Sequence, residues 1–120
     1  MSSYRVDKVE KLIKEEISNI FLHKINDPQL GFLTITNVNL SPDLKNARVY
    51  ISILEKEKRE LSLDIINNKA KFIRTELAHR IRIKFVPELK FFIDDTLDYV
   101  EKIEGLIEKI HKQNGNKTNN

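Results

Sequence analysis

The amino-acid sequence predicts a single two-layer α+β domain, on three observations. Apolar residues recur at spacings of three and four in three separated stretches, which is the helical period. Between them lie stretches where apolar and polar residues alternate, which is the strand period. Turn chemistry separates the stretches, so the elements read helix, strand, strand, helix, strand, helix along 120 residues. A chain of this length buries roughly two-thirds of the surface its unfolded form exposes, enough for one core.

The first helix is expected over about residues 4–25, where Val6, Val9, Leu12, Ile13, Ile17, Ile20 and Phe21 form one stripe between Lys and Glu residues. Ser2 or Ser3 can cap it, and Asn26-Asp27-Pro28 stops it, because the residue before a proline avoids the α region. Gly31 then opens a turn into extended structure. In the first strand Leu33 and Ile35 share one parity while Val38 and Leu40 share the other, so a bulge is expected near Thr36 and Asn37. In the second strand Ala47, Val49, Ile51 and Ile53 alternate cleanly with Arg48, Tyr50 and Ser52. Ser41-Pro42-Asp43 joins the two as an antiparallel hairpin.

A solvated charge run over residues 55–60 leads to the second helix, whose stripe is Leu63, Ile66, Ala70, Ile73, Leu77 and Ile81. That helix fades before Pro87, and Leu89, Phe91 and Ile93 alternate as a third strand. Asp94, Asp95 and Thr96 offer caps for a last helix with the stripe Leu97, Val100, Ile103, Ile107 and Ile110. Residues 113–120 contain no apolar side chain and are expected to be a short disordered polar tail on a domain spanning residues 1–112. Strand–helix–strand connections are parallel and right-handed, so the second strand is central: antiparallel to the first, parallel to the third. The helices are then expected on one face of a three-stranded mixed sheet.

Composition narrows the function. With no cysteine there is no disulfide framework, thiolate nucleophile or sulfur-ligated metal. The longest apolar runs are too short to span a membrane, and the N-terminus has no signal-peptide core, so a cytoplasmic protein is expected. His23, His79 and His111 are far apart and lack ligand partners at metal-binding spacing, and no Gly-rich phosphate loop or nucleophile elbow is present. Asp94, Asp95, Asp98 and Glu101 cluster, but carboxylates at a helix N-terminus are better read as caps than as metal ligands. No enzyme, metal or cofactor is expected.

The net charge of +3 hides a local concentration. Between residues 69 and 84 stand Lys69, Lys71, Arg74, Arg80, Arg82 and Lys84 against the single acid Glu76. At 100° per residue Lys71, Arg74, Thr75, Ala78 and Arg82 share one flank of the second helix, with Lys69 and Arg80 on the other and Lys84 in the connector beyond. A solubilising face would intersperse acids, so this track points to a polyanion, with Arg48 and Lys45 at the hairpin as secondary contacts. Tyr50 and Phe92 fall on the sheet face opposite Ile51 and Phe91, where they either stack on bases or are covered by the last helix or a partner.

Several separated blocks resemble the bacterial ribosome-binding factor A family. They are Asn26-Asp27-Pro28 with Leu30, Ile35-Thr36-Asn37-Val38, Ser41-Pro42-Asp43-Leu44 and Ala47-Arg48-Val49-Tyr50-Ile51-Ser52. To these add Phe72-Ile73-Arg74, Leu77, Arg82, Val86-Pro87-Glu88-Leu89, Phe91, Phe92 and Asp94. The resemblance implies a type II KH-like fold with a kinked central helix. It also implies a monomeric, non-enzymatic assembly factor that binds the immature small (30S) ribosomal subunit and its 16S rRNA late in maturation. Further implications are importance in the cold and dealings with other maturation factors such as a GTPase. Where relatives often carry Ala-x-Gly at the kink, this chain has Lys69-Ala70-Lys71, and loss of the glycine is expected to make the kink shallower. Two alternatives stand beside this reading: a protein-interaction module using the exposed sheet face, and a single-strand nucleic-acid binder unconnected to ribosomes.

Overall fold

A computed structural model describes residues 4–25 and 27–118, without the side chains of Tyr4, Leu97 and residues 113–118. The expected caps Ser2 and Ser3, and Asn26 of the helix stop, lie outside the described residues. The elements are α1 (Tyr4–Lys24), β1 (Leu33–Leu40), β2 (Asn46–Ile53), α2 (Arg59–Asn68), α3 (Ala70–Arg80), β3 (Glu88–Ile93) and α4 (Thr96–Thr118).

The sheet has the order β1-β2-β3, with β1 and β2 antiparallel and β2 and β3 parallel. The change of parity in β1 is a bulge: the register slips between Ile35, opposite Ile51, and Asn37, opposite Tyr50. The slip lets Ile35, Val38 and Leu40 all reach the buried face although their sequence parity differs. At the hairpin turn the Ser41 hydroxyl donates to Asp43 Oδ1 at 2.6 Å, and the same oxygen accepts the Lys45 amide at 3.0 Å. Those two bonds, the hydroxyl first, hold the Asp43 carboxyl below its ordinary range.

One face of the sheet is packed by α1, α2 and α3. Ile13, Ile17 and Ile20 of α1, Ile66 of α2, and Ile73 and Leu77 of α3 are fully buried against Val49, Ile51, Ile53 and Phe91. Phe21 meets Phe91 edge to face, with ring centroids 6.1 Å apart. The amide of Gly31 lies 3.4 Å from the buried Ser62 hydroxyl, and a Cβ there would come 3.2 Å from Ile53 Cγ2. This close approach favours glycine where the chain leaves α1 for β1.

The central helix is not merely bent. Lys69, at φ −95° and ψ 5°, leaves the α region and divides it into α2 and α3. The Lys69 amide still reaches the carbonyls of Ile65 and Ile66, and its own carbonyl accepts from the Ile73 amide. The missing glycine therefore does not keep the helix continuous. The break uses a negative φ that any L-residue adopts, so it never depended on glycine's freedom.

The last helix departs from the expected layer. Tyr99, Val100, Ile103, Leu106, Ile107 and Ile110 remain 43–61 % exposed, so the apolar stripe of α4 is not part of the core. The radius of gyration is 18.8 Å, against about 14 Å for a compact chain of this length, because α4 projects from the body. Among the described residues, the hydrogen bonds and ion pair that tie it to the body lie at its first turn. Asp94 Oδ1 accepts the Thr96 amide at 2.9 Å in a turn just before the helix, and Asp98 pairs with both terminal guanidinium nitrogens of Arg59, one at 3.0 Å. Arg59 in turn donates from Nε to the Ile53 carbonyl at 2.9 Å. The backbone helix continues past Lys112 to Thr118, through most of the stretch expected to be a tail; Asn119 and Asn120 lie outside the described residues.

Candidate nucleic-acid interface

The basic residues do not form one track along a helix. Helix α3 ends at Arg80, and Ile81 is extended at φ −117° and ψ 146°, so Arg82 and Lys84 lie on the connector to β3. The six cations of residues 69–84 separate into three groups. Lys69 sits half-buried at the helix break, with Lys71 exposed one step into α3. Arg80 turns back toward α1 and meets Glu16 at 3.7 Å. Arg74, Arg82 and Lys84 gather at the end of the sheet.

That third group lines a cleft of about 840 Å³ between the start of α1, the hairpin turn and the α3–β3 connector. Lys45 joins it from the turn and Arg5 from the first turn of α1. Its floor is apolar, with Val9, Leu40, Leu44, Ile83, Val86 and Pro87. Backbone bonding sets this geometry: the Glu88 amide donates to the Lys45 carbonyl at 2.8 Å, locking the hairpin turn to the start of β3. From α1, Glu10 accepts the Leu40 amide at 2.7 Å, which fixes the helix start beside the same turn.

Within the cleft the cations differ in what they can do. The Arg74 guanidinium donates from Nη2 and Nε to the Val86 carbonyl, at 2.8 and 3.3 Å, and Nη1 pairs with Glu88 at 3.0 Å. It is a clip that holds the connector to α3, and its charge is partly spent. The charged side-chain nitrogens of Arg5, Lys45, Arg82 and Lys84 make no ion pair within 4 Å among the described residues, though Lys45 acts electrostatically on Asp43, and all four are exposed. Arg5 escaped the sequence reading because residues 1–32 are electrically balanced overall; only the docking of α1 beside the hairpin turn brings it to the cleft.

Arg48 is exposed on the open sheet face instead, in a shallower depression with Lys90. The two surfaces are contiguous, since Leu40 and Glu88 line both. On that open face Tyr50 and Phe92 are half-buried and stack on each other, with centroids 5.6 Å apart and planes at 29°. Lys90 Nζ stands 5.6 Å from the Phe92 centroid. These aromatics are engaged with one another. The acidic cluster likewise resolves into hydrogen bonds of Asp94 and the salt bridge of Asp98 with Arg59. Asp94 is held below its ordinary range by the hydroxyls of Thr36 and Thr96, and Asp98 by the Arg59 guanidinium. No group of three or more metal-ligating side chains occurs among the described residues, and no helix there is long and apolar enough to cross a membrane.

Fold and charge together define a class: a small α+β domain presenting a cation-rimmed, apolar-floored surface suited to a polyanion. The chain belongs to the ribosome-binding factor A family, whose model matches residues 5–107. It is 45 % identical over 108 residues to the ribosome-binding factor A of Thermodesulfovibrio yellowstonii, covering 90 % of this chain and 92 % of that one. It is 43 % identical to that of Staphylococcus saprophyticus over 110 residues, covering 91 % and 96 %. Among solved structures, it is similar to the crystal structure of ribosome-binding factor A from Thermus thermophilus. There the TM-score is 0.67 at 26 % identity, covering 73 % of this chain and 93 % of that one. It is similar also to a Thermus thermophilus homology model fitted into the cryo-EM map of a 30S–ribosome-binding factor A complex. That TM-score is 0.65 at 26 % identity, with the same 73 % and 93 % coverage.

Proposed function

We propose that this protein is a non-enzymatic assembly factor of the cytoplasm that binds the immature small ribosomal subunit during late maturation. It contacts 16S rRNA through the cleft and leaves before translation. The observation that carries this reading is the convergence of Arg5, Lys45, Arg82 and Lys84 from three remote segments on one cleft. Exposed cations that make no ion pair favour a backbone that carries a regular series of phosphates. Family membership, and the fit of a relative into a 30S complex, support the same partner. Lys69 and Lys71 extend the contact along α3, and Arg48 extends it onto the open sheet face. Arg80, committed to Glu16, and Arg74, committed to the connector, contribute less. Cold-dependent growth and displacement by a GTPase or another maturation factor complete the reading.

The test is sedimentation of a cell lysate through sucrose gradients at low and moderate salt. Co-migration with free small subunits, absence from translating ribosomes and loss as salt rises are the expected results. A protein that stays at the top of the gradient at both salts is not a subunit-binding factor.

A further inference from the structure

The connector between α3 and β3 presents its side chains in a sorted manner. Ile81 and Pro87 are buried at its two ends, and Ile83 and Val86 pack partly into the core. Arg82, Lys84 and Phe85 point outward. Phe85 is 72 % exposed, yet the segment carrying it is anchored on both sides. The next carbonyl, that of Val86, is gripped by Arg74, and the backbone is pinned again at Glu88 by the Lys45 carbonyl. A large apolar ring is thus held in solvent at the edge of a cationic cleft. Lys84 Nζ lies 5.7 Å from the ring centroid, within cation–π range.

An apolar planar surface flanked by cations matches a single nucleotide, whose base has an apolar face and whose phosphates are anionic. A duplex offers phosphates, sugars and base edges but no base face, because its bases are stacked inside. The cleft of about 840 Å³ has room for a nucleotide, and its apolar floor would be wasted on phosphates alone. Asp43 and Glu88 also line it, but Asp43 is turned onto Ser41 and the Lys45 amide, and Glu88 onto Arg74.

We propose that Phe85 is a stacking platform for an unpaired RNA base, with Lys45, Arg82 and Lys84 holding the phosphates on either side, so that the cleft prefers single-stranded to duplex RNA. This rests on the RNA-binding reading above and adds a selectivity to it.

The chain contains no tryptophan, so Phe85→Trp places a unique fluorophore at the platform. The probes are a twelve-nucleotide oligoadenylate and a twelve-base-pair RNA duplex, titrated into the full chain at low salt. The indole emission of that variant is expected to be quenched by the oligoadenylate and not by the duplex. Phe85→Leu, which keeps an apolar side chain but no π face, is expected to weaken oligoadenylate binding about 5- to 100-fold at an unchanged salt slope. Duplex binding should stay as in the wild type, and Phe85→Tyr should restore oligoadenylate binding. Unchanged oligoadenylate affinity in Phe85→Leu, or unquenched emission at saturation, overturns the platform while leaving the cationic cleft in place. Failure of the wild type to bind either RNA overturns both.

Discussion

Arg74 separates a structural from an electrostatic account of the basic residues. Replacing it by methionine removes the guanidinium fork while keeping an apolar stem of similar length. A hydrogen bond from a charged group contributes about 1.5–3 kcal/mol when well shielded. Here the side chain is 42 % exposed, so water can partly replace the fork at the Val86 carbonyl. Glu88 is 70 % exposed, and its ion pair adds at most about 0.5 kcal/mol. The net cost is then about 1–1.5 kcal/mol. With an unfolding entropy of about 0.25 kcal/mol/K for 120 residues, the midpoint should fall by about 4–6 °C. Thermal unfolding followed by circular dichroism reads this directly, with Arg82→Ala as the comparison. Arg82 makes no such clip, so that variant should melt with the wild type while binding RNA more weakly. If Arg74→Met melts within a degree of the wild type, the clip does not hold the connector, and the distinction between the two arginines fails.

The salt dependence of binding to a 16S rRNA fragment should follow the free cations rather than all basic residues. Four phosphates neutralised by Arg5, Lys45, Arg82 and Lys84 give a log–log slope of about −2.8 to −3.6, and each alanine substitution should reduce it by about 0.7–0.9. A slope of about −5 would mean that at least two of Lys69, Lys71 and Arg48 contribute as well. Gly31→Val should destabilise the fold by about 1–3 kcal/mol in denaturant titration, because its Cβ would stand 3.2 Å from Ile53, which is fully buried and would have to shift to admit the branched side chain. Asp98 has a folded carboxyl lowered by Arg59, so its contribution is complete above about pH 4 and is lost as pH falls through the depressed value. Stability measured from pH 6 to pH 2 should therefore decline less steeply in Asp98→Asn than in the wild type; parallel curves would remove Asp98 from the acid limb.

Local periodicity carried most of the fold. The bulge at Thr36 was visible because a parity change within one apolar run marks an inserted residue. The central position of β2 followed from connection rules. What periodicity does not contain is the destination of an amphipathic stripe. The α4 pattern of Val100, Ile103, Ile107 and Ile110 is as regular as that of α1, but α1 meets the sheet and α4 does not. The break at Lys69 was equally hidden, since its dihedral angles are open to any residue. Among the site residues, the charge excess over residues 69–84 was legible but its geometry was not. Helical projection assumed a helix through Arg82, whereas the extended backbone at Ile81 moves Arg82 and Lys84 to another surface. Arg74 reads as a free cation in the sequence because its main partner is a backbone carbonyl, which leaves no trace in residue type.

The cleft is assembled from positions 5, 45, 82 and 84, and so it exists only when the tertiary structure does. The β1–β2 hairpin is local and can pair early, whereas the bond between Lys45 and Glu88 closes a loop of more than forty residues. During synthesis every one of these charges except those on the connector is present well before β3 has been made, yet none has its working neighbours. An unfinished or misfolded copy thus carries the same cations at the wrong spacings. In the proposed function, binding through the cleft therefore requires the completed fold.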